Sequence, residues 1–161
     1  MMSIRVPKAL RIVLASVIAA GAVFAWTAFY MQWGFGWQSP DRAYLVSTFY
    51  AGGAAVGLLG ALCLDDWLLD RLQNRYFRNT LFALLTIGLI IGFTAALLAL
   101  HYRIYFSQWH EPFLSKPWFF QLFFTALGAV AQYGIFGIRY HGIGSLIIIA
   151  ATCWWAMRTR H

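Results

Sequence analysis

Charge is what this sequence has least of. Only 11% of its 161 residues are charged, and five acidic side chains face twelve Lys and Arg, whereas a soluble domain carries about a quarter charged. Its 61% hydrophobic residues exceed what a soluble core of this length hides, so an ordinary water-exposed surface is excluded. The two cysteines, Cys63 and Cys153, both lie inside apolar stretches. That excludes a disulfide scaffold and a cysteine-ligated metal centre, and both read as small buried hydrophobes. With four prolines and no low-complexity stretch, a long linker is excluded and a single domain over 1–161 is predicted. No phosphate-binding glycine loop, serine triad or clustered cysteine motif is present. No charge sits deep in an apolar block, which argues against a carrier built on an intramembrane carboxylate, and no histidine sits mid-block, which argues against a haem held between helices.

What is there falls into blocks. Residues 9–33, 43–64, 80–100 and 118–138 are each apolar and nearly free of charge, and a run of about twenty residues crosses the hydrocarbon layer as a helix. A fifth block, 142–157, is shorter and reaches only ~24 Å. The predicted fold is all-α: a polytopic integral membrane helical bundle of four transmembrane helices plus a short fifth. Arg5, Lys8 and Arg11 precede the small residues Ala20, Gly21 and Ala22 as in a secretory signal, but the apolar run continues through VFAWTAFYMQW. A retained anchor is therefore predicted.

Positive residues flanking the blocks give the orientation. Arg5, Lys8 and Arg11 precede the first block, and Arg71, Arg75 and Arg78 separate the second from the third. Only Arg42, Arg103 and Lys116 flank the opposite ends. The N-terminus is predicted to be cytoplasmic, in a bacterial inner membrane. A fifth crossing would put Arg158 and Arg160 outside, against the charge rule; a returning C-terminus would put them inside, and the sequence leaves that side open. The net charge of +7 is spread over membrane flanks, which fits anionic lipid and not nucleic acid.

Helices in lipid associate through small residues and shared polar groups. Gly53, Gly57 and Ala61 recur every four residues, and Gly88, Gly92 and Ala96 repeat the arrangement. Both stripes are expected to receive a neighbouring backbone, within the chain or from a partner subunit. Gln121, Thr125, Gly128 and Gln132 fall within ~60° of one helix face. That stripe is expected to point inward, for interhelical hydrogen bonds, a protein partner, or a lipid or quinone headgroup.

The stretch HYRIYFSQWHEPF reads as an interfacial helix near 102–110. Tyr102, Tyr105, Phe106 and Trp109 share one face and Arg103, Ser107 and His110 the other, which sets rings toward acyl chains and polar groups toward water. His101 and His110 lie about 180° apart on a helix, so one metal cannot take both. No metal site is predicted there.

LDDWLLDRLQNRYFRN holds Asp65, Asp66, Asp70, Arg71, Arg75 and Arg78. Three carboxylates at the C-terminal end of a helix oppose its dipole, so pairing with the arginines is expected. The D-D-x-x-x-D run resembles the aspartate-rich runs of prenyl-transferring enzymes. That resemblance implies a Mg²⁺-held diphosphate and an enzyme acting on a lipid phosphate, although this chain has one such run where those enzymes use two. No catalytic residue is assigned. The expected function is that of a small non-enzymatic accessory or scaffold subunit of a larger membrane assembly, binding partner helices and membrane lipids. No cofactor is evident; lipid, quinone or pigment are the candidate ligands. The alternative is a small transporter or lipid-handling protein, for which the expected sign is a polar cavity opening from the Gln121 to Gln132 stripe.

Overall fold

A computed structural model describes residues 8–67, 69–105 and 111–158. They form five helices: α1 (Lys8–Trp33), α2 (Pro40–Trp67), α3 (Arg75–Tyr105), α4 (Lys116–Gln132) and α5 (Ile138–Arg158). A single 3-10 turn (Leu69–Arg71) links α2 to α3, and a π-helical turn (Tyr133–Gly137) joins α4 to α5. No strand occurs among the described residues. Four helices, Ala9–Trp33, Pro40–Trp67, Arg75–Tyr105 and Lys116–Ile135, are long and apolar enough to cross a membrane. The chain has the architecture of an integral membrane protein.

Local chemistry fixes the helix ends. The α1 chain reverses at Gly36, whose φ of 66° suits glycine. Pro40 opens α2, where its missing N–H leaves no donor unsatisfied, and Asp41 in the first turn suits the dipole. Asn74 starts α3 by accepting from the backbone N–H of Tyr76 and Phe77 at 3.0 and 3.2 Å. Ser115 caps α4 by accepting from Trp118 N–H at 3.2 Å. Within the apolar helices, Thr27, Thr86, Thr94 and Thr152 each donate to the carbonyl four residues earlier at 2.8 Å, which satisfies their hydroxyls where water is absent.

Packing divides into two buried clusters, one at each end of the bundle. Ala19, Leu58, Leu62, Leu69, Phe82, Ile90, Ile149 and Cys153 form the first. Val23, Met31, Ala43, Tyr50, Ala54, Ala95 and Tyr133 form the second. The contributors come from α1, α2, α3, the 3-10 turn and the segment from Tyr133 onward, and no residue of α4 itself is buried.

Contacts along α4 and α5 show how the chain returns. Arg103, near the C-terminal end of α3, lies over the Trp118 ring at 4.7 Å. Thr125 and Gly128 share a cavity wall with Leu98 and His101. The Tyr133 ring meets that of Tyr50 at a tilt of 49°, with centroids 5.9 Å apart. Ile149 then reaches Ala19 and Leu58, and Cys153 joins the cluster holding Phe82 and Leu69. The two helices therefore follow each other down the bundle, and α5 runs antiparallel to α1. The sequence reading separates 118–138 from 142–157 as two crossings; here α5 continues down the bundle from where α4 ends and finishes at the same end of the bundle as the start of α1.

The expected interfacial helix near 102–110 lies only in part among the described residues. Tyr102 and Tyr105 lie on the last turns of α3, exposed and continuous with it, while Phe106, Ser107, Trp109 and His110 lie outside the described residues.

Candidate functional site

The site grows out of an irregular stretch between α4 and α5. Its sequence, YGIFGIRYHGIG (133–144), carries four glycines, and the backbone leaves α-geometry twice: in the π turn Tyr133–Gly137 and at Gly142, with φ 57° and ψ −179°. A π turn misaligns carbonyls with their usual donors and is often found where a helix builds a site. Both irregularities are answered by side chains from other helices. Tyr50 Oη donates to the Gly137 carbonyl at 2.6 Å. Trp26 Nε1 donates to the His141 carbonyl at 2.9 Å, supplying the donor that the break at Gly142 removes.

Only glycine fits at two of these positions. A Cβ on Gly142 would lie 2.9 Å from Tyr30 Cε1 in a positive-φ conformation, and one on Gly144 would collide with the Trp26 indole. Trp26 and Tyr30 stack at 5.6 Å, Tyr30 meets Phe35 edge-on at 5.3 Å, and Tyr140 meets both Phe35 and Trp37, at 4.9 and 5.4 Å. A chain of rings thus closes the outer part of the bundle over the break.

Beneath it sits a polar triad. Tyr133 Oη and His141 Nε2 are joined by a hydrogen bond, and the His141 ring meets Tyr50 edge-on at 4.6 Å. Tyr50, Tyr133 and His141 are all at most 5% exposed. Tyr50 lies ten residues into α2, about 15 Å along the helix from Pro40, so the triad is set deep in the bundle and not at its rim.

A cavity of about 470 Å³ opens beside the triad, between α2, α3 and α4. Its walls are aromatic, with Trp37, Tyr50, Tyr102, Phe124, Tyr133 and Tyr140. Its polar groups are few: Thr125, Gln132, His101 and the tyrosine hydroxyls, with no lysine or arginine in the lining. Mostly apolar walls with a few convergent hydrogen-bonding groups are what a small amphipathic molecule requires.

The chain matches no known family, curated protein or solved structure.

The residues singled out from sequence are dispersed. Thr125, Gly128 and Gln132 line the aromatic cavity, whereas Gln121 sits a turn earlier and accepts from the Glu111 backbone N–H at 3.1 Å. Gly53, Gly57 and Ala61 are buried against α3. Gly88, Gly92 and Ala96 are exposed, and a Cβ at either glycine would meet nothing within 4 Å. Tyr102 lines the cavity; Tyr105 does not.

Asp65 is 1% exposed and accepts from Arg78, Nε to Oδ1 at 3.4 Å and a terminal nitrogen to Oδ2 at 3.3 Å. Asp66, Arg71 and Arg75 are exposed, and the side chain of Asp70 lies outside the described residues. Among the described residues, no group of three His, Cys, Asp or Glu side chains is placed to share a metal ion.

Sequence reasoning missed Trp26, Tyr50, Tyr133 and His141. The last of these falls in the gap between two apolar blocks, where a surface turn is expected, yet it is buried in the bundle. The available signal was the glycine density of 134–144, which marks backbone that departs from a regular helix.

Proposed function

We propose that this is a non-enzymatic integral membrane protein that holds a neutral, ring-headed, lipid-soluble molecule of the quinone type in the cavity between α2, α3 and α4. The carrying observation is the aromatic lining with Thr125, Gln132 and His101 as its hydrogen-bonding groups. A flat ring stacks between Tyr and Phe faces. The Gln132 amide and the Tyr140 hydroxyl donate to ring carbonyls, and an uncharged head matches a lining that offers no cation. The tail leaves past Phe124 and Ala129 on the exposed face of α4.

The test is titration of the purified full-length protein in mild detergent with a decyl-chain benzoquinone, read as quenching of tryptophan fluorescence. Saturable binding is expected. Gly128→Trp, which fills the cavity from a backbone position with open space around it, is expected to weaken binding at least ~10-fold, and Gln132→Leu by roughly 3- to 10-fold, the worth of about one hydrogen bond. Equal affinity in Gly128→Trp would remove the cavity from the account.

A second reading, an accessory subunit of a larger assembly, is favoured by the α3 face bearing Gly88, Gly92 and Ala96, which is exposed with room for a backbone to approach. Copurification of a stoichiometric partner that is lost in Gly92→Leu supports it; a monodisperse protein with no companion opposes it.

The proposed setting is a bacterial cytoplasmic membrane, with α4 and α5 sharing one crossing and both chain ends cytoplasmic. Support comes from α5 running antiparallel to α1 and from Arg158 and Arg160, which then join the basic flanks on the side rich in Lys and Arg. A cysteine added after His161, in a background with Cys63 and Cys153 replaced by Ala, is expected to react with a membrane-impermeant maleimide only after the inner face is exposed. Labelling of intact cells would place that end outside and refute the arrangement.

A further inference from the structure

A second cavity, of about 300 Å³, lies on the other side of the Tyr133 and His141 pair, between α1, α3 and α5. Its chemistry is unlike that of the first. Arg139 and His141 line one end, beside Tyr30, and the remainder is aliphatic, with Ile87 and Ile90 from α3 and Ile143, Leu146 and Ile149 from α5.

Three observations point to a ligand. The Arg139 side chain is exposed beside this apolar wall and makes no ion pair among the described residues, and at bilayer depth a cation is costly unless an anion or water meets it. His141 is 5% exposed, its Nε2 is engaged by Tyr133, and its Nδ1 has no hydrogen-bond partner, a vacancy that a buried polar atom rarely keeps. The aliphatic part runs from this polar end along α5 for a little under two helical turns, from Ile143 through Leu146 to Ile149.

We propose that this cavity binds an anionic phospholipid of the surrounding bilayer, with the phosphate on Arg139 and His141 and one acyl chain along the isoleucine groove. The guanidinium donates in a fork that matches phosphate oxygens. With Tyr133 Oη–H donating to Nε2, His141 carries its proton on Nδ1 and donates it to the same head. Tyr30 lies three residues before the Trp33 end of α1, and Trp26, which meets the His141 carbonyl, lies seven before it, so the polar end is about 5–10 Å along the helix from that end, a depth that the long Arg139 side chain spans toward the headgroups. The phospholipid assignment rests on charge: one cation, one orphan donor and an aliphatic trough suit an anion on a chain, where the first cavity suits a neutral ring.

The experiment uses the full chain in detergent micelles with spin-labelled phosphatidylglycerol or phosphatidylcholine as probe, scored by the immobilised fraction of the label at low and high salt. Phosphatidylglycerol is expected to be retained roughly 10-fold more strongly at low salt, with the preference shrinking as salt rises. Arg139→Gln is expected to abolish the preference, and Arg139→Lys to keep part of it. Leu146→Trp, which blocks the trough, is expected to release both labels. Decyl-benzoquinone binding is expected to stay unchanged in Arg139→Gln, so failure here and failure of the ring site are separable. An absent preference, or one that survives Arg139→Gln, would overturn the proposal. Displacement of the label by inorganic phosphate alone would overturn the lipid assignment, and stronger retention of spin-labelled stearate than of phosphatidylglycerol would transfer the site to free fatty acids.

Discussion

Replacing Arg78 with Ala is expected to destabilise the bundle by about 3–5 kcal/mol, the scale seen when one partner of a buried pair is removed. Asp65 lies in the last turn of α2, where the carbonyl end of the helix already disfavours a negative charge. It is 1% exposed, and Arg78 of α3 brings its guanidinium edge to both carboxylate oxygens at 3.3 and 3.4 Å. Without that edge the carboxylate keeps its desolvation and loses the charge that α3 brings to both of its oxygens. The two partners are not equivalent: the Arg78 side chain is 19% exposed, so Asp65→Asn leaves a cation that can turn toward water and is expected to cost less than Arg78→Ala. Adding Asp65→Asn to Arg78→Ala is expected to recover part of the loss, because the buried charge is then gone. Chemical unfolding in micelles, followed by helical circular dichroism, measures all three variants. An Arg78→Ala protein within about 0.5 kcal/mol of the parent would show that the pair is an exposed contact of little worth.

This pair also illustrates what could be read from the sequence. Hydrophobic length located α1, α2 and α3, because no other arrangement hides so many apolar residues, and the same blocks put the Asp and Arg runs at one end of the bundle. Which Asp meets which Arg was not legible, since Asp65 and Asp66 differ only in the side of α2 they occupy, and that side is set by how α3 lies against it. The segment from Tyr133 to Gly144 was legible least. Hydropathy alone treats Arg139 and His141 as a surface turn between two crossings. The burial of His141 depends on Tyr50 and Trp26, about 90 and 115 residues earlier, supplying donors to carbonyls that the irregular backbone frees. Local patterns carry no information about such distant partners. Of the Gln121 to Gln132 stripe, Thr125, Gly128 and Gln132 line a cavity wall, and which face of α4 does so depends on the tilt of α4 across α3. Glycine spacing alone did not distinguish the stripe that meets a backbone from the stripe that meets open space.

That distinction is open to direct test. Gly57→Val is expected to cost about 1–3 kcal/mol, the range for forcing added volume into a packed interface, whereas Gly88→Val is expected to change stability by less than about 0.5 kcal/mol. A Cβ on Gly57 would stand 2.6 Å from Ile90 N and 2.7 Å from Ile90 Cα. Those are backbone atoms, so no rotamer change relieves the clash and α2 must move away from α3. One turn along, a Cβ on Gly53 would stand 2.9 Å from Thr94 Cα and strike Thr94 Oγ1, which donates to the Ile90 carbonyl. Gly53→Val with Gly57→Val is therefore expected to separate the helices along two turns. The effect should reach the aromatic cavity, because Tyr50 lies one turn from Gly53 and Leu98 one turn from Thr94, and both line its walls. Thermal unfolding in detergent and decyl-benzoquinone titration on the same samples test the link. Gly57→Val should lower both the unfolding temperature and the affinity, while Gly88→Val should leave both near the parent. A Gly57→Val protein that keeps its stability while Gly88→Val loses it would mean that α3 presents its other face to α2, and the cavity walls would have to be redrawn with it.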